Sequence, residues 1–345
     1  MQMPSQPTAI YSQQTVFHSA FESTSINMTQ PTSIDMTFDT SLVDVNAAAN
    51  ASFSTTESDS TVDGQQTAKR TQTLQPTTAP QKPSTPVQHI PTQAAYDQWA
   101  AIYDTDGNML QAIDDLELQT LLPDFLSQVK SSTAAEQELH VLELGCGTGR
   151  NTEKLVRYDW NGKSVEVIGL DFSQGMLDVA AKKLSPLLKE KDQQGVRSRL
   201  ECCDCFPTVD NPSVSPLPAV SNLRPVHAVT STLVLEHIPL KDYFATLAAL
   251  LLPGGTALIT NMHADMGRVS QAGFVNADGV KVRGSSYVYT VEETAAAART
   301  AGLEVVSVSE REMRKQDVEG GAVGERGWKW VGTNVWFGMV FRKTS

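Results

Sequence analysis

Residues 140–152, HVLELGCGTGRNT, concentrate the chemistry of this chain. A β-rich run ends at Glu143-Leu144 and passes directly into Gly145, Gly147 and Gly149, after which a helical pattern begins near Arg150. Glycines at alternate positions allow a tight turn, and they let a ligand touch the backbone with no Cβ in the way. Asp171 closes the next β-rich run, 22 residues beyond Gly149, where a carboxylate can accept hydrogen bonds from both hydroxyls of a ribose. The chemistry indicated is binding of a nucleoside at the carboxyl end of a first strand. The dinucleotide fingerprint G-x-G-x-x-G is not met, because Arg150 stands at its sixth position, and the phosphate-binding pattern G-x-x-x-x-G-K-[ST] is absent.

Two imidazoles are candidates for catalysis. His237 in TLVLEHIP and His263 in NMHADM each follow a β-rich run, and a group that titrates near neutral pH can serve as a general base. A histidine that only orients the backbone is the competing reading for His237. Cys202, Cys203 and Cys205 crowd into four positions, yet a structural zinc site uses four ligands, usually in separated pairs, and no second pair completes this one. No metal is expected, and with Cys146 the spacing suits a reducing compartment better than a disulfide framework. In GWKWVGTNVWFGMVF, alternation assigns Trp336, Phe337 and Phe341 to a core, and leaves Trp328 and Trp330 as candidate walls of an apolar substrate site.

These groups need a scaffold. After Ser131, short β-rich runs alternate with amphipathic helical runs, the pattern of a parallel sheet covered on both faces. Strands are predicted at 140–144, 165–170, 199–203, 226–231, 256–262, 304–310 and 334–341, and the last two, with no helix between them, are expected to pair antiparallel. A helix from Ser173 aligns Met176, Val179, Ala180, Leu184 and Leu187, and another from Lys241 runs toward a stop at Gly254. Thr290-Val-Glu-Glu293 has the form of a capping box. Upstream, residues 94–104 and 109–130 are helical in spacing, and Pro123 is expected to open a new helical segment. Residues 207–225 carry five prolines and read as a surface insertion, while the long connection 263–289 is a candidate substrate-facing loop or lid.

Residues 1–92 hold three basic and seven acidic side chains in a background of Ser, Thr, Gln and Pro, without sustained periodicity. Such a segment buries too little surface to offset its ordering entropy, so it is predicted to be a disordered tail before a domain at 93–345. Of the net charge of −12, the remainder carries −8, which disfavours gripping nucleic acid or anionic lipid by bulk electrostatics. No apolar run reaches the ~18 residues needed to span a bilayer, and neither a secretory signal nor an Arg-rich presequence is expected from the leading residues. A cytoplasmic chain without a membrane partner is expected, with the nucleus as alternative; nothing specifies a protein partner for the tail.

The acidic-x-G-x-G-x-G pattern resembles motif I of the class I S-adenosylmethionine-dependent methyltransferases, and further features follow in that family's order over residues 94–343. The resemblance implies an α/β, Rossmann-like fold with a seven-stranded, mostly parallel sheet, helices on both faces and an antiparallel last strand, binding S-adenosyl-L-methionine. It implies that Glu143 holds the amino end of that cofactor and Asp171 its ribose. Phe172 and Met176 would pack against adenine, Asp204 would receive the adenine amino group, Cys205 would supply backbone contacts, and Thr230 would face the methionine part. The segment Tyr96-Asp97-Gln-Trp99-Ala100-Ala-Ile-Tyr103-Asp104 is similar to one that precedes motif I in ubiquinone/menaquinone-type and related small-molecule methyltransferases. By that likeness Tyr103 reaches over the cofactor, where an aromatic ring attracts a sulfonium.

Glu236-His237 resembles a pair found after strand four in many small-molecule members. The extra carboxylate that holds a metal in some of them is replaced by Leu233. Members that methylate adenine or glutamine amides carry an Asn/Asp-Pro-Pro-aromatic segment where this chain has Thr230-Ser-Thr-Leu233, so a small organic acceptor is implied and nucleic acid is not. Three rivals remain: a quinone-pathway C-methyltransferase, which predicts a presequence; a nicotinamide-dependent reductase, weakened by Arg150; and a regulator that keeps the fold without turnover.

Overall fold

The computed structural model describes residues 86–134, 137–206 and 216–344. Seven strands form its main sheet: β2 (Leu139–Leu144), β3 (Val165–Asp171), β4 (Val196–Cys202), β5 (Val226–Thr232), β6 (Leu251–Met262), β9 (Leu303–Glu312) and β10 (Asn334–Lys343). They lie in the order β4-β3-β2-β5-β6-β10-β9. The pairs among β2 to β6 are parallel, and β10 runs antiparallel to both β6 and β9. The chain winds outward from β2 in both directions, so the crevice at this reversal of strand order opens beside the carboxyl ends of β2 and β5.

Burial on both faces explains the nearly continuous apolar strands. On one face Leu142, Leu144, Ile168 and Leu170 pack with Tyr243, Phe244 and Leu247 of α5 (Leu240–Leu250) and with Ala295 and Ala298 of α7 (Val291–Thr300). On the other, Leu139, Val141, Val165 and Val167 meet α2 (Met109–Ser132), α3 (Arg150–Arg157) and α4 (Gln174–Lys191) through Leu126, Leu155 and Leu184. Each such fully buried aliphatic side chain contributes about 1.5–3 kcal/mol relative to exposure. The capping box forms as read: Thr290 Oγ1 accepts from the Glu293 N–H at 3.1 Å, and the Glu293 carboxylate accepts from the Thr290 N–H at 2.9 Å.

Three expectations are corrected. Pro123 does not open a helix but sits inside α2; burial of Leu118, Leu122, Phe125 and Leu126 on one stripe offsets the local cost of an interior proline, about 3 kcal/mol. The helix after β5 stops at Leu250, and β6 begins at once with Leu251. Between β9 and β10 lie α8 (Lys315–Glu319) and a 3-10 turn, Glu325–Trp330. The strands are antiparallel neighbours, as expected, but not a plain hairpin.

Residues 1–85 of the expected tail lie outside the described residues, as do 207–215 of the proline-rich insertion. Inside the expected tail, however, β1 (Val87–His89) pairs parallel with β8 (Lys281–Arg283), which pairs antiparallel with β7 (Phe274–Val275). The long 263–289 connection thus has structure of its own, including α6 (Ala264–Gly267), and ties the start of the domain to it. Next comes α1 (Thr92–Trp99), laid against α4. Among the described residues no helix is long and apolar enough to cross a membrane.

Candidate active site

The turn leaving β2 is built from three left-handed glycines with different reasons for lacking a side chain. At Gly145 (φ 74°) an added Cβ would meet Val234 Cγ2 at 2.3 Å, and at Gly149 (φ 75°) it would meet Ala180 Cβ of α4 at 3.0 Å. At Gly147 (φ 52°) it would meet nothing within 4 Å. Two glycines therefore serve close packing, and the middle one faces open space into which its backbone is presented.

Asp171, the last residue of β3, closes the turn from the side. Its Oδ2 accepts the Gly147 N–H at 2.8 Å and its Oδ1 the Ser173 N–H at 2.8 Å. Burial pushes the Asp171 carboxyl up to about 6, against the pull of those N–H groups. Each oxygen keeps a lone pair for a further donor.

The segment around α1 closes over this turn and is latched by two aspartates. Asp97 Oδ1 accepts from Ser173 Oγ at 2.5 Å and from the Gly175 N–H at 3.1 Å, at the start of α4. Asp104 takes Thr148 Oγ1 of the glycine turn at 2.6 Å and Lys183 Nζ at 2.7 Å. Between the latches stand Tyr96 and Tyr103, their ring centroids 6.0 Å apart, with Phe172 6.4 Å from Tyr96. Beside them a cavity opens, walled by Trp99, Leu233, Met262, Met266 and Trp330, with Glu236 reaching it. Residues 270–273 of the long connection also line it. Trp330 reaches this wall as expected; Trp328 does not line it and is exposed instead.

The structure brings Gly145, Gly147, Gly149, Asp171, Phe172 and Tyr103 together at the carboxyl edge of the sheet. Glu143 and Thr230 are register partners across β2 and β5. Both are buried: Thr152 Oγ1 donates to Glu143 Oε2, burial raises the Glu143 carboxyl to about 7, and Thr230 Oγ1 has no hydrogen-bond partner among the described residues. Asp204 follows β4 at the surface, its Oδ1 accepting the Phe206 N–H at 3.2 Å.

Four further candidates have contacts of their own within the fold. Met176 is buried against Ala95, Trp99 and Phe274, packing the α1 cap rather than lining an open face. Cys205 is in the core; its carbonyl accepts from Thr246 Oγ1 at 3.1 Å, and its sulfur lies 3.4 Å from that of Cys203. His263 caps α6, where Nδ1 accepts the Asp265 N–H at 3.1 Å, leaving Nε2–H to Glu310 at 2.9 Å. His237 has Nδ1 against the Ser285 carbonyl at 2.8 Å and Nε2 against the Tyr96 hydroxyl at 2.7 Å. A carbonyl can only accept, so Nδ1 carries the proton and Nε2 accepts from Tyr96. Neither imidazole lines the cavity, and neither has a bare nitrogen to act as base.

Sequence reasoning missed two features. Arg150, which broke the dinucleotide pattern, is partly buried and pairs with Asp114 at 2.6 Å and Asp115 at 2.7 Å; Asp114 also accepts from Trp336 Nε1 at 2.8 Å and Thr260 Oγ1 at 2.6 Å. No local signal marks that network. The other is Leu233, a non-glycine residue at φ 57° that lines the cavity; such strain costs of order 1–3 kcal/mol and persists where the surrounding structure over-determines it. Its N–H is held by the Thr260 carbonyl at 2.9 Å.

Residues 141–255 match the family described as Methyltransferase domain. Over 267 residues the chain is 42% identical to Uncharacterized methyltransferase AN0656 of Emericella nidulans, an alignment that covers 73% of this chain and 91% of that protein. Among solved structures it is similar to geranyl diphosphate C-methyltransferase from Streptomyces coelicolor A3(2), at 15% identity and a TM-score of 0.45, covering 75% of this chain and 90% of the other. It is also similar to an S-adenosylmethionine-dependent methyltransferase from Mesorhizobium loti, at 16% identity and a TM-score of 0.40, covering 63% and 96%.

Proposed function

The chain belongs to the class I S-adenosylmethionine-dependent methyltransferases, and on that premise we propose that it methylates a small organic acceptor held in the cavity beneath α1. The observation that carries this reading is the glycine turn itself: Gly147 presents backbone to open space while its N–H is fixed by Asp171, next to a cavity with an apolar and aromatic wall. The residues fit the donor. A positively charged sulfonium suits the rings of Tyr96 and Tyr103 and the carboxyls of Asp171 and Glu236, and a nucleoside suits a turn that offers no phosphate-binding pattern.

When bound, S-adenosylmethionine supplies an electrophilic methyl group on sulfur. Asp171 would receive the ribose hydroxyls on its remaining lone pairs. Phe172 and Asp204, beyond the ends of β3 and β4, would hold the adenine end, and Glu143 and Thr230 would hold the methionine end. The α1 cap, held by Asp97 and Asp104, excludes water and aligns the acceptor, and alignment of this kind accounts for a large share of rate acceleration in two-substrate transfers. The apolar wall supports an acceptor with a hydrocarbon or aromatic body.

Calorimetric titration of wild type and Asp171→Ala with S-adenosylmethionine, S-adenosylhomocysteine and NADH tests the site. The first two should bind wild type and lose affinity in the variant. Binding of NADH alone, or unchanged affinity in Asp171→Ala, would contradict the assignment. Incubation with a cell extract and labelled methyl donor should then yield a labelled small product; label on protein alone would overturn the acceptor class.

A further inference from the structure

We propose that Glu236 is the general base of this site, and that the acceptor is therefore a molecule whose nucleophile gives up a proton: a hydroxyl, an amine N–H or an acidic C–H. This rests on the reading of the cavity as the acceptor site. Glu236 lies in the 3-10 turn Leu235–His237 that follows β5, with its main chain fixed at both ends: its N–H donates to Asn261 Oδ1 at 3.1 Å, and its carbonyl accepts the Tyr287 N–H at 2.6 Å. The side chain is 3% exposed, reaches the cavity wall, and its Oε2 has no hydrogen-bond partner among the described residues. A buried carboxyl oxygen left without a partner costs free energy, and a fold retains such a group most readily where a ligand supplies the partner.

The neighbouring groups leave this role to Glu236. His237 Nε2, 3.5 Å from Glu236 Oε1, already accepts from the Tyr96 hydroxyl, and burial holds the imidazole below its ordinary titration range. His237 is thus a positioning residue that orients Tyr96 at the cavity wall. Tyr96 and Tyr103 also face Glu236, Asp171 lies within electrostatic reach of Tyr96, and Arg326 and Lys329 stand on the wall of the same cavity. Burial pushes the Glu236 carboxyl up to about 8. It is a neutral acid at pH 7 until a cation enters the cavity and favours the carboxylate. The charge of the methyl donor thereby arms the base. In the transfer, the acceptor's proton passes to Glu236 Oε2 and the acceptor's electron pair forms the new bond to the methyl carbon. The pair of the broken carbon–sulfur bond stays on sulfur, and Glu236 later returns the proton to solvent.

Proton release on binding, measured at pH 7 by calorimetry in buffers of different ionisation enthalpy, tests the proposal without an acceptor. S-adenosylmethionine should release up to about one proton more from wild type than from Glu236→Gln. S-adenosylhomocysteine, which lacks the sulfonium charge, should give the same value in both proteins, and its retained affinity reports that the variant is folded. Equal release of protons by the two proteins on binding S-adenosylmethionine would overturn the proposal and leave the cofactor site standing. Failure of both ligands to bind wild type would overturn the site and the proposal together. With an acceptor in hand, the rising limb near 8 in the pH profile of kcat/KM for S-adenosylmethionine, which reports the free enzyme, should vanish in Glu236→Gln; a limb that persists would assign the base elsewhere.

Discussion

Asp171 Oδ2 accepts the N–H of Gly147 at 2.8 Å, joining the end of β3 to the middle of the turn that leaves β2. On the proposed reading, a carboxylate that fixes the glycine backbone would also receive the ribose, two tasks for one group. Asp171→Asn opposes an amide NH2 to either Gly147 N–H or Ser173 N–H, and removes an acceptor from the ribose position. Affinity for S-adenosylmethionine should fall at least about tenfold, roughly 1.4 kcal/mol. The unfolding midpoint should move little, because losing a charge-assisted hydrogen bond is offset by removing a buried charge. Titration calorimetry alongside thermal unfolding checks both.

The glycines of the turn should separate by phenotype. Gly145→Ala drives a methyl into Val234 at 2.3 Å and should destabilise the fold by about 1–3 kcal/mol. Gly147→Ala meets no atom and carries only the left-handed backbone cost of about 1–2 kcal/mol. Its methyl enters the space offered to the ligand, so it should remain folded and lose cofactor affinity. A Gly147→Ala protein that binds normally would place the cofactor elsewhere.

The pH dependence of stability has a definite sign. The carboxyls of Glu236, Glu143 and Asp171 stand in the folded protein at about 8, 7 and 6, above their ordinary values of 4.5, 4.5 and 3.8. Over those windows the folded chain holds protons that the unfolded chain has lost, so their contribution to stability is present at low pH and fades as pH rises. Glu236→Gln has no such proton to lose. Urea unfolding at pH 5, 6.5 and 8 should show the variant gaining on wild type at each step; a difference constant with pH would contradict this account of the Glu236 environment.

Asp114 is fully buried and receives Arg150, Trp336 Nε1 and Thr260 Oγ1. Asp114→Ala leaves the Trp336 indole N–H without its acceptor and the partly buried Arg150 with Asp115 alone, and should cost about 1–3 kcal/mol. The exposed Arg157–Glu153 pair is the control, where Arg157→Ala should cost no more than about 0.5 kcal/mol. Denaturant midpoints distinguish the two.

What the sequence alone determined is local. The glycine turn, Asp171, the alternation of strands and helices and the Thr290 capping box are legible because turn geometry and periodicity act over a few residues. Only the tertiary structure decided the role of each group whose partners are distant in the chain. Tyr96 meets His237 across 141 positions and Asp114 meets Trp336 across 222. Those contacts remove one histidine from acid–base work, the cap of α6 removes the other, and packing carries α2 through Pro123. The charge state of Glu236 was likewise hidden, since it follows from desolvation by neighbours that no local pattern of residues records.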